Sequence, residues 1–452
     1  MRDLTKGSIY KSFILFAVPL ILSGLLVQGY SIIDNIIAGK FLGEHGLAAI
    51  GATSQAITLA SSVFWGFGAG VGVYIAKRFG ANEYKEIKTD VYNIMVISVA
   101  VIALLGVILV IFGDGIIALL RVEDNIRRDA RIYYSIYTLG LFLIISNNTF
   151  MHIMNALGSS SFPFLMSVLS AVLNISGNIL SVTVFKMGIA GIALSSVFSA
   201  TMVDIAYILK LKACYIELGI KKEKIKLSFS AFRHILRYAI PTSLQQTAMY
   251  IAAFLMSPIV NGIGAAATAG YTVVLRIYNV NACIYQQSAK TVSNYAAQCV
   301  GAKEYKKIRK GLFVGLVQGM VFVVPMILLC SLFAPQVNSL FFPSGYKGEA
   351  LNYAILFSRV YLPFIAFNVI NNLFHSFFRG IAAMRLLIVA TVLGSVARIL
   401  SCLILAEIFG MDGIYMGWAI SWIAEAVFLF FVYLFKFRNT EMIQRHAERS
   451  FV

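Results

Sequence analysis

One acid stands inside the first long apolar stretch of this 452-residue sequence. Asp34 lies six residues before Lys40. At 1.5 Å per residue, that is about 9 Å inside the end of a helix. If the stretch crosses a membrane, an ionised carboxylate at that depth is costly and is kept for function or for a partner. Such a group could take up a proton and give it back once hydrated or approached by a cation. Tyr30 and Ser31 fall on the same helical face, one turn earlier. Asn174 and Asn178 are four apart and share a face of another helix. Their amide oxygens could ligate Na+ or accept a hydrogen bond from protonated Asp34. The plainer alternative for all of these is interhelical polar packing.

A second acid, Glu425, lies eleven residues before Lys436, with Trp418 and Trp422 on its face at i−7 and i−3. A carboxylate among aromatics suits an organic cation; alternatively it pairs with Arg398. Asp204, six residues from Lys210, reads as a salt bridge near an interface. Arg276, Lys290, Arg359 and Arg398 are the cations inside apolar stretches. Lys290, if it faces a cavity, favours an anionic or zwitterionic ligand. His152 and His375 each precede a glycine that ends a helix, which points to a role in the fold, with titration left open. Pro19, Pro325 and Pro363 remove helical hydrogen bonds and permit bends. Pro19 is on the helix of Asp34, where a static kink and a functional bend are both open.

The elements that must position these residues are membrane helices. The chain is 59% hydrophobic and 13% charged, with mean hydropathy +0.82. Soluble domains carry about 25% charged residues. Continuous apolar runs, each near or above the roughly 20 residues that span a bilayer, predict twelve spans. They cover 11–38, 47–76, 91–112, 130–157, 162–185, 188–210, 235–260, 264–298, 311–333, 351–378, 384–408 and 411–436. The runs do not alternate with period two, so they are helices and not barrel strands. The basic start MRDLTKGSIYKSF leads into a run that continues past Asp34 without a small-residue cleavage site, which reads as a retained span.

Orientation follows from Lys and Arg. Of 37 such residues, 26 fall in the segments that share a side with residues 1–12, and 7 fall on the other side. The positive-inside rule then places both termini in the cytoplasm of a plasma (inner) membrane protein. The net charge of +17 is spread over these short loops, a pattern that faces anionic lipid and not nucleic acid. The five cysteines form no CxxC, so no disulfide framework or metal site is indicated. HExxH, P-loop and hydrolase motifs are absent, which argues against a membrane enzyme; no selectivity-filter repeat suggests a channel.

The sequence also repeats. GANEYKEI at 80–87 returns as GAKEYKKI at 301–308, Ala-x-Pro at Pro19 returns at Pro241, Gly158 at Gly380, and Gly188/Gly191 at Gly410/Gly413. A near-constant offset of 221 or 222 residues indicates duplication. Each half holds an even number of spans, so the two repeats are parallel. The expected organisation is an N-lobe at 1–209, a basic cytoplasmic connection at 210–234 containing KKEKIK, a C-lobe at 235–436 and a cytoplasmic tail at 437–452. Transporters of this build place substrate between halves that rock against each other.

Thr-x-Gly-Ser-Ile near the start, FAVPLIL, YSIIDNIIAGKFLG, LAAIGA, RFGAN, QCVGAK, FFRGIAAMR and GMDGIYMGWAISW, in this order, resemble the multidrug and toxin extrusion (MATE) transporters. The resemblance covers essentially the whole chain. It implies an all-α membrane protein with twelve helices in V-shaped N- and C-lobes. It further implies a secondary antiporter that exports organic, chiefly cationic, compounds in exchange for H+ or Na+. No cofactor is implied, and the expected partners are a small organic substrate and membrane lipid, with the chain acting as a monomer. Lipid or oligosaccharide flipping by a relative of the same superfamily is the alternative.

The chain is closer to the DinF-like branch: Asp34 is present, while LQQTAMYIAAF and FNVINNLFHSFF lack the acids of the NorM-like branch. Many members carry Asn-x-x-x-Asp where this chain has Asn174-Ile-Ser-Gly-Asn178. By resemblance Ser196 joins Asp34, Asn174 and Asn178 at the cation-coupling site, and no metal beyond Na+ is expected there. Tyr30, Gln245, Lys290, Trp422 and Glu425 are candidates for the substrate cavity, and Pro19 for the helix bend. Arg359 and Arg398 match positions where the family often has Arg, which favours a structural role.

Overall fold

The computed structural model describes residues 3–120, 122–220, 227–343 and 345–449, and among them every regular element is helical. The KKEKIK run at 221–226 lies outside the described residues. The expected first two spans form one run, α1 (Ile9–Gly80), broken only at Gly43. Helices α2 (Tyr84–Ile111) and α3 (Gly113–Leu119) follow. The expected span 130–157 is two helices, α4 (Asp124–Leu139) and α5 (Leu141–Ala156), bent by 46°. Next come α6 (Ser161–Thr183), α7 (Gly188–Glu217), α8 (Phe229–Ile263), α9 (Ala265–Gly301), α10 (Tyr305–Leu332) and α11 (Ala334–Ser339). The tenth span is also broken: α12 (Glu349–Leu356), a π turn Phe357–Tyr361, a 3-10 turn Leu362–Phe364 and α13 (Ile365–Gly380). The chain closes with α14 (Met384–Phe409), α15 (Met411–Lys436) and a short α16 (Thr440–Arg449).

Each departure from a plain span has a local cause. Pro363 has no N–H to donate, so the helix around it changes its hydrogen-bond step. Side chains cover the gap: Ser331 donates to the Ser358 carbonyl at 2.7 Å, and Asn338 to the Ser358 hydroxyl at 2.9 Å. Among the described residues, nine helices are long and apolar enough to cross a membrane, or ten when α4 and α5 count as one span. The long α1 holds two crossings. Helix α9 falls short on apolarity because Arg276, Asn279, Asn281, Gln286, Gln287 and Lys290 interrupt it. With these two counted, the fold has twelve membrane helices.

The duplication is written in the backbone as well. Gly43 (φ 68°) and Gly264 (φ 138°) separate the first and second crossings of the two halves, 221 residues apart. Only a residue without Cβ takes such angles at little cost. Asn82 and Lys303 (φ 59° and 57°) and Gly188 and Gly410 (both φ 58°) repeat in the same register.

The chain divides into two compact units. The first is built on Leu22–Ser243, the second on Leu4–Ile21 with Leu244 onward. Both boundaries fall inside a helix, shortly after Pro19 and Pro241. In the first unit, Ala38, Ala49 and Ile57 of α1 pack on Ile126, Ala130, Tyr133 and Tyr134 of α4 and Ile189, Ile192 and Ala193 of α7. The second unit buries Tyr285, Tyr295, Phe357, Phe377, Tyr415 and Trp422 completely. Leu104 and Ile111 on α2 and Ile404 and Ile408 on α14 stay exposed, as suits surfaces turned to lipid tails, which are as apolar as leucine.

Candidate coupling and substrate sites

Three helices of the first unit bring the predicted coupling residues together. Asp34 on α1 accepts a hydrogen bond from Asn178 Nδ2 of α6 at 2.8 Å. The same nitrogen lies 3.1 Å from Asn174 Oδ1. Ser196 of α7 lies 3.1 Å from the Asn174 amide and donates back to the Ile192 carbonyl at 3.2 Å. Asn174 and Asn178 are buried, at 4% and 0% exposure. Tyr30 of α1, with Tyr133 and Tyr137 of α4, lies within electrostatic reach of the carboxylate. Helix periodicity explains the meeting: Asn174 and Asn178 are one turn apart, and both point where α1 presents Asp34.

The Asn174 amide has two workable orientations. The amide atom facing Asp34 sits 2.7 Å from Oδ1 and 3.1 Å from Oδ2. With nitrogen on that side it donates to an ionised carboxylate, and its oxygen accepts from Ser196 Oγ at 3.1 Å. With oxygen on that side the short contact is favourable only if Asp34 carries a proton to donate. Asn178 Oδ1 is buried with no hydrogen-bond partner, a further oxygen for a proton donor or hard cation. The set has the oxygen donors Na+ prefers, but one formal negative charge. Among the described residues, no group of three or more His, Cys, Asp or Glu could hold a metal ion.

The second unit assembles a different site. Glu425 of α15 pairs through Oε1 with His375 Nε2 of α13 at 2.8 Å. Asn371 Nδ2, one turn earlier on α13, donates to Oε2 at 3.2 Å and to the Trp422 carbonyl at 3.0 Å. Gln245 of α8 bridges His375 Nδ1, at 2.7 Å from its Nε2, and Arg379, whose Nη2 donates to its Oε1 at 2.7 Å. A Cβ at Gly394 of α14 would come within 2.9 Å of all three Glu425 carboxyl atoms, so this glycine makes the room the acid occupies. Gln245, Tyr278, Asn368, Asn371, Asn372, His375, Thr391, Arg398 and Glu425 are among the residues lining a cavity with about 40 Å³ of space for water centres.

Several expectations need correction here. Arg398 is not the partner of Glu425: its guanidinium lies over the Trp418 and Trp422 rings at 5.5 and 5.9 Å, and the ion partner is His375. Trp422 does not line the cavity; it is fully buried, stacked on Tyr278 at 6.0 Å. Lys290 is likewise absent from the lining of this cavity. Asp204 makes no salt bridge among the described residues; it accepts a hydrogen bond from Ser146. His152 and His375 sit in unlike surroundings, His152 close to Gly68 and Gly72 and His375 beside an acid. Sequence reading missed Asn371, Arg379 and Gly394. The signal was present as a polar stripe at i, i+4 and i+8 (Asn371, His375, Arg379), which puts all three on one face of α13.

A duplicated helical membrane protein with ionisable groups held inside each unit, and no catalytic constellation, has the make-up of a secondary transporter. The MatE family model matches residues 19–180 and 241–404, both halves in turn, and the chain belongs to that family. It is a multi-pass membrane transporter of the efflux antiporter class, not an enzyme, and it needs no cofactor. It is 26% identical to "Probable multidrug resistance protein YoeA" of Bacillus subtilis over 75% of this chain and 74% of the relative. It is 22% identical to the "FAD transporter" of Shewanella oneidensis over 79% and 80% of the two chains. Its fold matches that in "Crystal structure of MATE in complex with MaL6", with TM-score 0.88, 20% identity and 99% coverage of both chains.

Proposed function

We propose that the protein exports organic compounds, cations among them, in exchange for protons, with Asp34 as the coupling acid. The observation that carries this reading is the Asp34–Asn174–Asn178–Ser196 cluster: one carboxylate, held only by uncharged amides, in the membrane interior. A proton neutralises it completely, and the Asn174 amide turns to suit either state. Coupling requires that the ion favour one orientation of the transporter over the other, because an ion bound equally in both shifts nothing. Protonation removes an expensive charge from α1, the helix that carries Pro19. Multidrug names among the relatives support organic substrates.

The test is substrate-dependent export from proteoliposomes under separately imposed gradients. A pH gradient alone is expected to drive export and a Na+ gradient alone is not; drive by Na+ in the absence of a pH gradient would overturn proton coupling. We further propose two lobes near 1–209 and 235–436 that rock against each other, with both termini cytoplasmic. In a variant lacking the five native cysteines, a cysteine replacing Lys222 is expected to react only from the cytoplasmic side, and Tyr346→Cys only from outside. The reverse pattern would invert the topology.

A further inference from the structure

The second unit contains a chain of hydrogen bonds whose direction is fixed from one end. An arginine guanidinium only donates. Arg379 Nη2 therefore makes Gln245 Oε1 the acceptor, at 2.7 Å. The other side of the same amide is then its NH2 group, which faces His375 Nδ1 at 2.7 Å and must donate to it. A ring nitrogen that accepts carries no proton, so the proton of His375 is on Nε2, facing Glu425 Oε1 at 2.8 Å. Thr391 Oγ1, 3.4 Å from Nδ1, gives its hydrogen to the Leu387 carbonyl at 2.9 Å and leaves this assignment intact. His375 is thus neutral, held in one tautomer. Glu425 accepts from His375 at Oε1 and from Asn371 at Oε2, as an ionised carboxylate does.

We infer that Glu425 is a second proton-exchange site of this transporter, with Arg379 and Gln245 as positioning residues that keep His375 from taking the proton in its place. A second proton on His375 would have to go on Nδ1, against the Gln245 NH2, and Gln245 could turn to accept it only by presenting NH2 to Arg379. That arrangement sets two donors against each other at one end or the other. Glu425 has no such block. Its Oε1 is engaged by the histidine N–H, so an incoming proton from cavity water binds Oε2, converting the carboxylate to a carboxylic acid and hydronium to water.

The surroundings favour a proton over other cations. The cavity beside Glu425 has about 40 Å³ of space for water centres, room for a few waters at roughly 10–15 Å³ each, and none for an organic ion. Arg398 shares the lining and would repel a metal cation. Charged and titratable groups reach the pair from each helix packed around it. Helix α13 gives His375 itself and Arg379; α14 gives Arg398; α9 gives Tyr278 and, acting on Arg379, Lys290. Helix α8 gives the uncharged Gln245, and the π turn brings Tyr361 against Tyr415, ten residues before Glu425. Glu425 is the only carboxylate of this set.

Two measurements on the purified full-length protein in lipid test the inference. Infrared spectra against pH are compared between Asp34→Asn and Asp34→Asn/Glu425→Gln. Their difference is expected to contain one carboxylic-acid C=O band that grows as pH falls through the working range. A difference without such a band would overturn the inference. Nitrogen-15 histidine spectra form the second arm, with the His375 signal identified by its loss in His375→Gln. His375 is expected to stay neutral with its proton on Nε2 in the unsubstituted protein, and to gain a second proton in Gln245→Ala. A doubly protonated His375 in the unsubstituted protein at neutral pH would overturn it. Because this arm reads the intact site, a misfolded double variant leaves the test decisive.

Discussion

The two buried acids of this protein are held in opposite ways. Asp34 is surrounded by amides and hydroxyls with no fixed charge, and Asn174 can face it with either end. Glu425 sits at the end of a chain anchored by a permanent cation, in which Gln245 and His375 each have one permitted orientation. The first arrangement adapts to the state of its acid; the second dictates it. A group that must change state during a transport cycle is served by the first kind of shell. A group that must be kept ready between cycles is served by the second. The duplication shows how far the two copies have diverged: moved by 222 residues, Asp34, Asn174, Asn178 and Ser196 become Met256, Val396, Leu400 and Trp418. The frame repeats and the chemistry does not.

The comparison is broken most sharply by removing one donor from each acid. Asn178→Ala takes away the short hydrogen bond to Asp34 and is expected to lower gradient-driven export by about tenfold or more, since a hydrogen bond to a charged group contributes about 1.5–3 kcal/mol. Asn371→Ala leaves Glu425 its histidine and is expected to cost clearly less. Equal losses in initial-rate export assays would erase the distinction between an adaptable and a preset shell.

Packing offers a smaller, sharper test. Gly394→Ala pushes a methyl group to within 2.9 Å of the Glu425 carboxyl, which the locked chain cannot move aside. Overpacking of this kind costs about 1–3 kcal/mol, and a fall in Tm is expected by thermal-shift measurement. At Gly177, beside Asn178, the same methyl group would meet the Ser195 side chain at 3.1 Å, and the expected fall is smaller. If Gly177→Ala proves the more damaging, the rigidity assigned to the second unit is wrong.

The helices and their duplication were legible because bilayer thickness and backbone self-satisfaction leave few options for a chain this apolar. The coupling cluster was legible for a related reason: an acid is conspicuous in an apolar stretch, and the i, i+4 asparagines announce a shared face. Helix breaks were harder to place. The bend between α4 and α5, and the π turn before Pro363, depend on which carbonyls find side-chain partners, such as Ser331 and Asn338 around Ser358. The partner of Glu425 was misjudged because charge alone nominates Arg398, whereas packing gives that arginine to two indoles and leaves the acid to a histidine four residues from Arg379. Sequence spacing marks which residues share a face of one helix; it does not say which face of which neighbour they meet.

The claim that Asp34 is the coupling acid is tested most directly by Asp34→Asn in proteoliposomes, which holds the position permanently neutral. Substrate exchange without a gradient and export driven by a pH gradient are measured on the same preparation. The expected result is exchange near that of the unsubstituted protein, with no response to the gradient. Full gradient-driven export by Asp34→Asn at normal reconstitution would contradict the account and move the coupling site to Glu425.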